Sequence, residues 1–240
     1  MIDWLRRAEP EIALGDRVLP IEVRRNKRAR RLTMRLARDG SAVRLTLPPW
    51  APTGDAIAFA HAKAAWLADQ LDKLPRACPP RPGGWLGYRG ADLHVVWDKA
   101  APRRPVLDEA AGAIRIGGPL DAMPGRLGRW LEQQALALSA PDLADYAERA
   151  GVPLPELRLS RAKSRWGSCS GKQVVRINWR LVQAPDHVRR SVIAHEVAHL
   201  VHFDHSPAFH ALLARIFEHD IAQSDRWLKE HGRSLYAAFG

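Results

Sequence analysis

His195-Glu196-Val197-Ala198-His199-Leu200-Val201-His202-Phe203-Asp204-His205-Ser206-Pro207-Ala208-Phe209-His210 is the stretch on which this chain turns. Its first five residues read H-E-x-x-H. On an α-helix, residues i and i+4 lie one above the other, so His195 and His199 aim their imidazoles at one point. Two converging neutral imidazoles suit a zinc ion, which takes histidine nitrogen at about 2.0–2.1 Å. Glu196 stands roughly 100° further round the helix. There it reaches a water on the metal without joining the ligand set, as in metal-assisted hydrolases. H-E-x-x-H also recurs by chance, and the bland alternative is a helix with two solvated or core histidines. Three features argue against it. Residues 185–194 read as a helix start, and apolar positions 188, 192, 193, 197, 200 and 201 form one stripe. A further histidine stands six residues beyond His199, and Ser206-Pro207 marks a break and a new helix. His195, His199, His202, His205 and His210 are also five of the ten histidines in the chain.

The 240 residues suffice for a substantial core in one or two closely packed units. The 46% hydrophobic and 26% charged content is that of a soluble globular chain. Cys78 and Cys169, far apart, make no disulfide framework and point to a reducing compartment. Met1-Ile2-Asp3-Trp4-Leu5-Arg6-Arg7 lacks an apolar signal core, and no run approaches the roughly 18 apolar residues of a membrane span. The expected location is the cytoplasm, with no membrane contact. The formal net charge of +11 suits an anionic partner such as DNA or RNA, or simply a solvated arginine-rich surface.

Residues 1–17 read as a lead-in, 18–120 as a strand-rich domain with one helix, and 121–240 as a catalytic domain. Ile21–Arg24, Leu32–Leu36 and Val43–Leu47 alternate as strands, Asp39-Gly40 turns between the last two, and a small antiparallel meander is expected. Thr53 or Asp55 caps a helix through Leu74. Leu93–Trp97 and Ala113–Ile116 belong to a second set of strands. Residues 121–150 read as a long helix that Ser139-Ala140-Pro141 kinks or breaks and Gly151 stops. Leu157–Leu159 and Val174–Trp179 are strands around a turn region at 165–171. Helices are expected at 207–218 and 221–228. No internal repeat is legible beyond a strand-then-helix rhythm. The class is α+β.

Three stretches resemble one known family: Arg24-Arg25-Asn26-Lys27-Arg28-Ala29-Arg30-Arg31-Leu32, Ser164-Arg165-Trp166-Gly167-Ser168-Cys169-Ser170 with Ile177-Asn178, and H-E-x-x-H-x5-H-S-x-x-F at 195–209. In this order they resemble the YgjP-like bacterial zinc metallopeptidases, relatives of the SprT and WLM-type proteases. The chain departs from that pattern at His210, where tryptophan is expected. The resemblance implies a zinc protease domain of minimal gluzincin-like architecture, its sheet beside the H-E-x-x-H helix, with a peptide or protein substrate. Metzincins share the histidine spacing, but they carry glycine where this chain has His202 and need a downstream methionine turn; Met1, Met34 and Met123 all lie upstream.

The third ligand has three candidates. His202 shares the face of His195 but lies about 10 Å further along the axis, out of reach while the helix continues. His205 follows the point where the helix can end, so it can return from another direction, as a tetrahedral site needs. His210 can do the same from the next helix. The resemblance places the ligand at the histidine of His-Ser, which is His205. The expected cofactor is therefore one zinc ion per chain on His195, His199 and His205, with Glu196 as general base.

Beside this site, Arg165, Trp166 and Ser168 are candidates for substrate and oxyanion contacts along a strand edge. The alternative is that Trp166 and Cys169 pack under the helix and Gly167 makes a tight bend. Arg24, Arg25, Lys27 and Arg28 form either a nucleic-acid patch or a charged strand edge that blocks aggregation; base-stacking aromatics are absent from the run. Peptide hydrolysis is the leading expectation. Attack on a nucleotide phosphoanhydride, or a nucleic-acid-binding module with gated proteolysis, are the alternatives.

Overall fold

The computed structural model describes residues 10–37, 39–74 and 78–239. It divides into two compact units, Met1–Pro75 and Arg76–Gly240. The class is mixed α+β, as expected. Of the expected lead-in, residues 1–9 lie outside the described residues, whereas Glu11–Leu14 form a strand.

The first unit holds β1 (Glu11–Leu14), β2 (Arg17–Arg25), β3 (Thr33–Leu36) and β4 (Val43–Leu47), then α1 (Thr53–Ala62) and α2 (Ala64–Asp72). The strands run in the order β1-β2-β4-β3, and β2 pairs parallel with β4. The expected antiparallel meander is thus replaced by a crossover. The loop 26–32 is long enough to carry the chain past one strand position, so β4 takes the inner place. Its Val43, Leu45 and Leu47 are at most 1% exposed, while β3 lies at the edge with no buried residue. Arg25 fastens the end of β2: its Nη1 donates to the carbonyls of Pro49 and Ala51 (2.9 Å each), and its Nη2 donates to Thr53 Oγ1 (3.1 Å). Thr53 therefore accepts from an arginine rather than capping α1, and the expected single helix is interrupted at Lys63 (φ −104°, ψ 16°).

In the second unit, β5 (Trp85–Tyr88), β6 (Ala91–Trp97), β7 (Val106–Asp108) and β8 (Ala113–Ile116) repeat the plan. Their order is β5-β6-β8-β7, again a hairpin, a parallel inner pair and an antiparallel edge. The β5–β6 turn uses Arg89 (φ 51°) and Gly90 (φ 83°), the left-handed pair that a two-residue hairpin requires. Leu86, Val95, Ile114 and Ile116 share one core with Leu127, Trp130 and Leu131 of α3 (Met123–Ala150). This shared core explains why the division falls after Pro75 rather than near residue 120. α3 runs through Pro141 without the expected break and ends at Gly151 (φ 69°).

The third sheet, β9 (Glu156–Ser160), β10 (Gly167–Ser170) and β11 (Val174–Asn178), has the order β10-β11-β9. β10 is the outer strand, antiparallel to β11. After a 3-10 turn at Trp179–Gln183 come α4 (Asp186–Val201), α5 (Pro207–Ile216) and α6 (Ile221–His231). Val188, Val192, Ile193 and Val197 of α4 pack on Val175 and Ile177 of β11 and on Phe209 and Leu213 of α5. Ion pairs fix α4 to α3: Asp142 accepts from Arg189 and Arg190, both turned inward from α4. Among the described residues no helix is long and apolar enough to cross a membrane.

Candidate metal centre

α4 positions His195 and His199 one turn apart, with Nε2 atoms 3.1 Å from each other. The helix ends at Val201, and His202 is its C-terminal cap in extended conformation (φ −123°, ψ 109°). That change of direction returns the chain with His205, whose Nε2 lies 3.4 Å from His195 Nε2. Ser206 then starts α5, its Oγ accepting the Phe209 N–H (3.4 Å). One ring nitrogen from each of His195, His199 and His205 lies within 4.8 Å of the others. The buried Phe209 ring stands against all three, with centroids 4.6 Å from His199, 4.9 Å from His205 and 5.0 Å from His195.

The donor chemistry fits a metal ion. Nitrogens bound tetrahedrally at about 2.0–2.1 Å stand roughly 3.3–3.4 Å apart, close to the separations found here. His199 Nδ1 lies 3.0 Å from the His202 carbonyl oxygen, so an Nδ1–H donor leaves the Nε2 lone pair facing the cluster. Burial, and then the neighbouring His199, His205 and His210, push His195 down to a pKa of about 4, which keeps it neutral. His202 thus takes part through its carbonyl, not its ring. His210 faces the same cavity with its ring 6.4 Å from His205, outside the group of three.

Glu196 is 6% exposed and turns toward β10. A Cβ on Gly167 would stand 2.4 Å from its Oε1, so glycine there permits a close approach; Gly167 lies within a strand and makes no tight bend. Burial raises the carboxyl to about 7, while the Arg165 charge and the Cys169 backbone N–H oppose the rise. Arg165 is exposed, and Trp166 lies partly buried with its ring 5.7 Å from Tyr236. Ser168 sits opposite Arg176 on β10 and does not line the cavity. Cys169 packs against the core as a free thiol, its pKa raised by burial and by Glu196. Asn178 anchors the loop before β10: its Nδ2 donates to the carbonyls of Ala162 (2.8 Å) and Arg165 (3.4 Å).

The cavity measures about 400 Å³. Trp166, Gly167, His195, Glu196 and His205 line it together with Val192, Leu213, Ile221, Asp225 and Leu228. Sequence reading missed Asp225, although the i, i+4, i+7 spacing of Ile221, Asp225 and Leu228 was a usable sign. Arg24, Arg25, Lys27 and Arg28 belong to the first unit and are exposed. Arg25 is committed to the α1 entry. Phe59 and Trp66 line a groove of about 350 Å³ with Leu32, Met34 and Lys63, so the first unit does hold aromatics beside the basic run.

A search among curated proteins found no match, and a search among solved structures found none. The family model described as "YgjP-like, metallopeptidase domain" matches residues 30–231. The chain belongs to the YgjP-like metallopeptidase family, a family of metal-dependent hydrolases.

Proposed function

We propose that the protein is a zinc-dependent endopeptidase of gluzincin-like architecture, with His195, His199 and His205 holding one zinc ion and Glu196 acting as general base. The observation that carries this reading is the convergence of three histidine nitrogens within 4.8 Å beside a buried carboxylate in one cavity. Bound zinc supplies Lewis-acid polarisation of the scissile carbonyl and acidifies water. Glu196 takes the proton of the attacking water and passes it to the leaving amine nitrogen. The Cys169 N–H and the bare Gly167 backbone hold that carboxylate in place. Arg165, close enough to act on Glu196 by its charge, offers a cation to the developing oxyanion.

Trp166 C=O accepts the Asn178 N–H (2.7 Å), so the backbone groups of 166, 168 and 170 turn toward β11 and those of Gly167 turn to the open edge. An extended peptide pairs there as an added strand. The apolar part of the lining, Val192, Leu213, Ile221 and Leu228, favours a peptide over a nucleotide, because it presents side chains rather than anion donors to the substrate. Two free thiols accord with a cytoplasmic setting. The test is hydrolysis of casein, nucleoside triphosphates and single-stranded DNA by the zinc-loaded protein, with and without chelator. Casein cleavage that chelator abolishes is expected, and it should fall by at least about 10²-fold in a zinc-loaded Glu196→Gln variant. Hydrolysis of nucleotides alone, or full activity in that variant, overturns the proposal.

A further inference from the structure

The cavity beside Glu196 has a chemistry that general peptide hydrolysis does not call for. It is lined by a single stripe of α6, Ile221, Asp225 and Leu228, and by Val192 of α4 and Leu213 of α5. Four of these five residues are apolar. The fifth, Asp225, is an exposed carboxylate, and among the described residues no hydrogen bond or ion pair reaches it. An exposed carboxylate without a cation, beside apolar walls, is complementary to a side chain with an aliphatic stem and a positive end. Lysine and arginine have this build: the stem lies along apolar walls while the charged head finds an acceptor. A volume of about 400 Å³ accommodates either.

We propose that this cavity is the specificity pocket of the enzyme and that Asp225 selects peptides carrying lysine or arginine next to the scissile bond. The inference rests on the peptidase reading given above. Asp225 touches the substrate side chain and takes no part in the bond-breaking steps. A free α-ammonium group at a peptide N-terminus carries the same charge, but it lacks the stem that Val192, Leu213, Ile221 and Leu228 would cover.

The experiment uses the zinc-loaded full chain and peptides blocked at both ends, identical except for one position. That position is Lys, Arg, norleucine, Ala or Glu, and it is moved along the peptide while cleavage sites are read by mass spectrometry. A second arm repeats the Ala peptide with a free N-terminus. A third measures binding of the Lys and norleucine peptides to the zinc-loaded Glu196→Gln variant by calorimetry. The expected result is a preference of about ten-fold or more for Lys or Arg over norleucine at one position flanking the cut, in kcat/KM and in affinity. Asp225→Asn should collapse that ratio toward one, and Asp225→Lys should turn it toward Glu. Equal handling of Lys and norleucine overturns the inference. So does a preference that survives Asp225→Asn, or one that follows the free N-terminus instead. If no peptide is cleaved, the peptidase reading fails, and the binding arm still decides the pocket: a Lys preference dependent on Asp225 supports it and its absence overturns it.

Discussion

Gly167 lies so close to Glu196 that a single methyl group on it would stand 2.4 Å from Oε1, 2.7 Å from Cγ and 2.8 Å from Cδ. The outer strand and the catalytic helix are therefore fitted to each other at one position, and that fit fixes where the carboxylate points. Gly167→Ala must push Glu196 off that position while leaving the histidines alone. Zinc content should stay near one per chain, and hydrolysis should fall by about 10²-fold or more. Activity within about two-fold of the parent would contradict the positioning role assigned to Gly167.

Asp142 joins α3 to α4. It is 6% exposed and accepts from Arg189, whose own side chain is 3% exposed, and from Arg190. Asp142→Ala leaves Arg189 buried with only Asp186 as partner. Removing one member of a buried pair costs roughly 3–5 kcal/mol, and the remaining partner points to the lower figure. Urea unfolding should show a loss of about 3 kcal/mol; a loss below about 1 kcal/mol would mean that the pair contributes little to holding the helices together.

Glu218 predicts acid sensitivity. Burial alone would raise its carboxyl, but hydrogen bonds from Arg190, from its own backbone and from Tyr146 outweigh burial and hold it at about 2. The folded pKa lies below the unfolded value near 4.5, so the stabilisation is complete above that pH and disappears as pH falls toward 2. The urea midpoint should therefore drop between about pH 5 and pH 2.5, and drop less steeply in Glu218→Gln. Equal slopes in the two proteins would remove Glu218 from the account.

Local chemistry was the legible part of the sequence. The i, i+4 spacing put His195 and His199 together, and Ser206-Pro207 announced the turn that brings His205 back. Gly151 and Asn178 also stand at element ends, where their types belong. Long-range pairing was not legible. Nothing within residues 18–47 says that β4 inserts beside β2, because the parallel ladder depends on which strand is apolar enough for the inner place. The second copy of the same four-strand plan, at Trp85–Ile116, shares strand order with the first but neither its residues nor its hairpin turn, so only the rhythm could be read. Pro141 does not break α3, because Trp130 and Leu131 before it and Leu143 and Tyr146 after it are each held in a core. Gly167 acts through space on Glu196, distant in sequence, and spacing alone does not reveal such a contact.

The ligand set is the centre of the account, and zinc content of single alanine variants tests it most directly. Each variant of the full chain is purified, loaded with zinc, dialysed and measured by plasma emission spectroscopy. His205→Ala should lose the metal, because its Nε2 is the off-helix member of the cluster. His202→Ala should keep about one zinc per chain, since only its backbone carbonyl meets His199. His210→Ala should also keep it, its ring standing outside the group of three. Loss of zinc in His210→Ala with retention in His205→Ala would contradict the assignment.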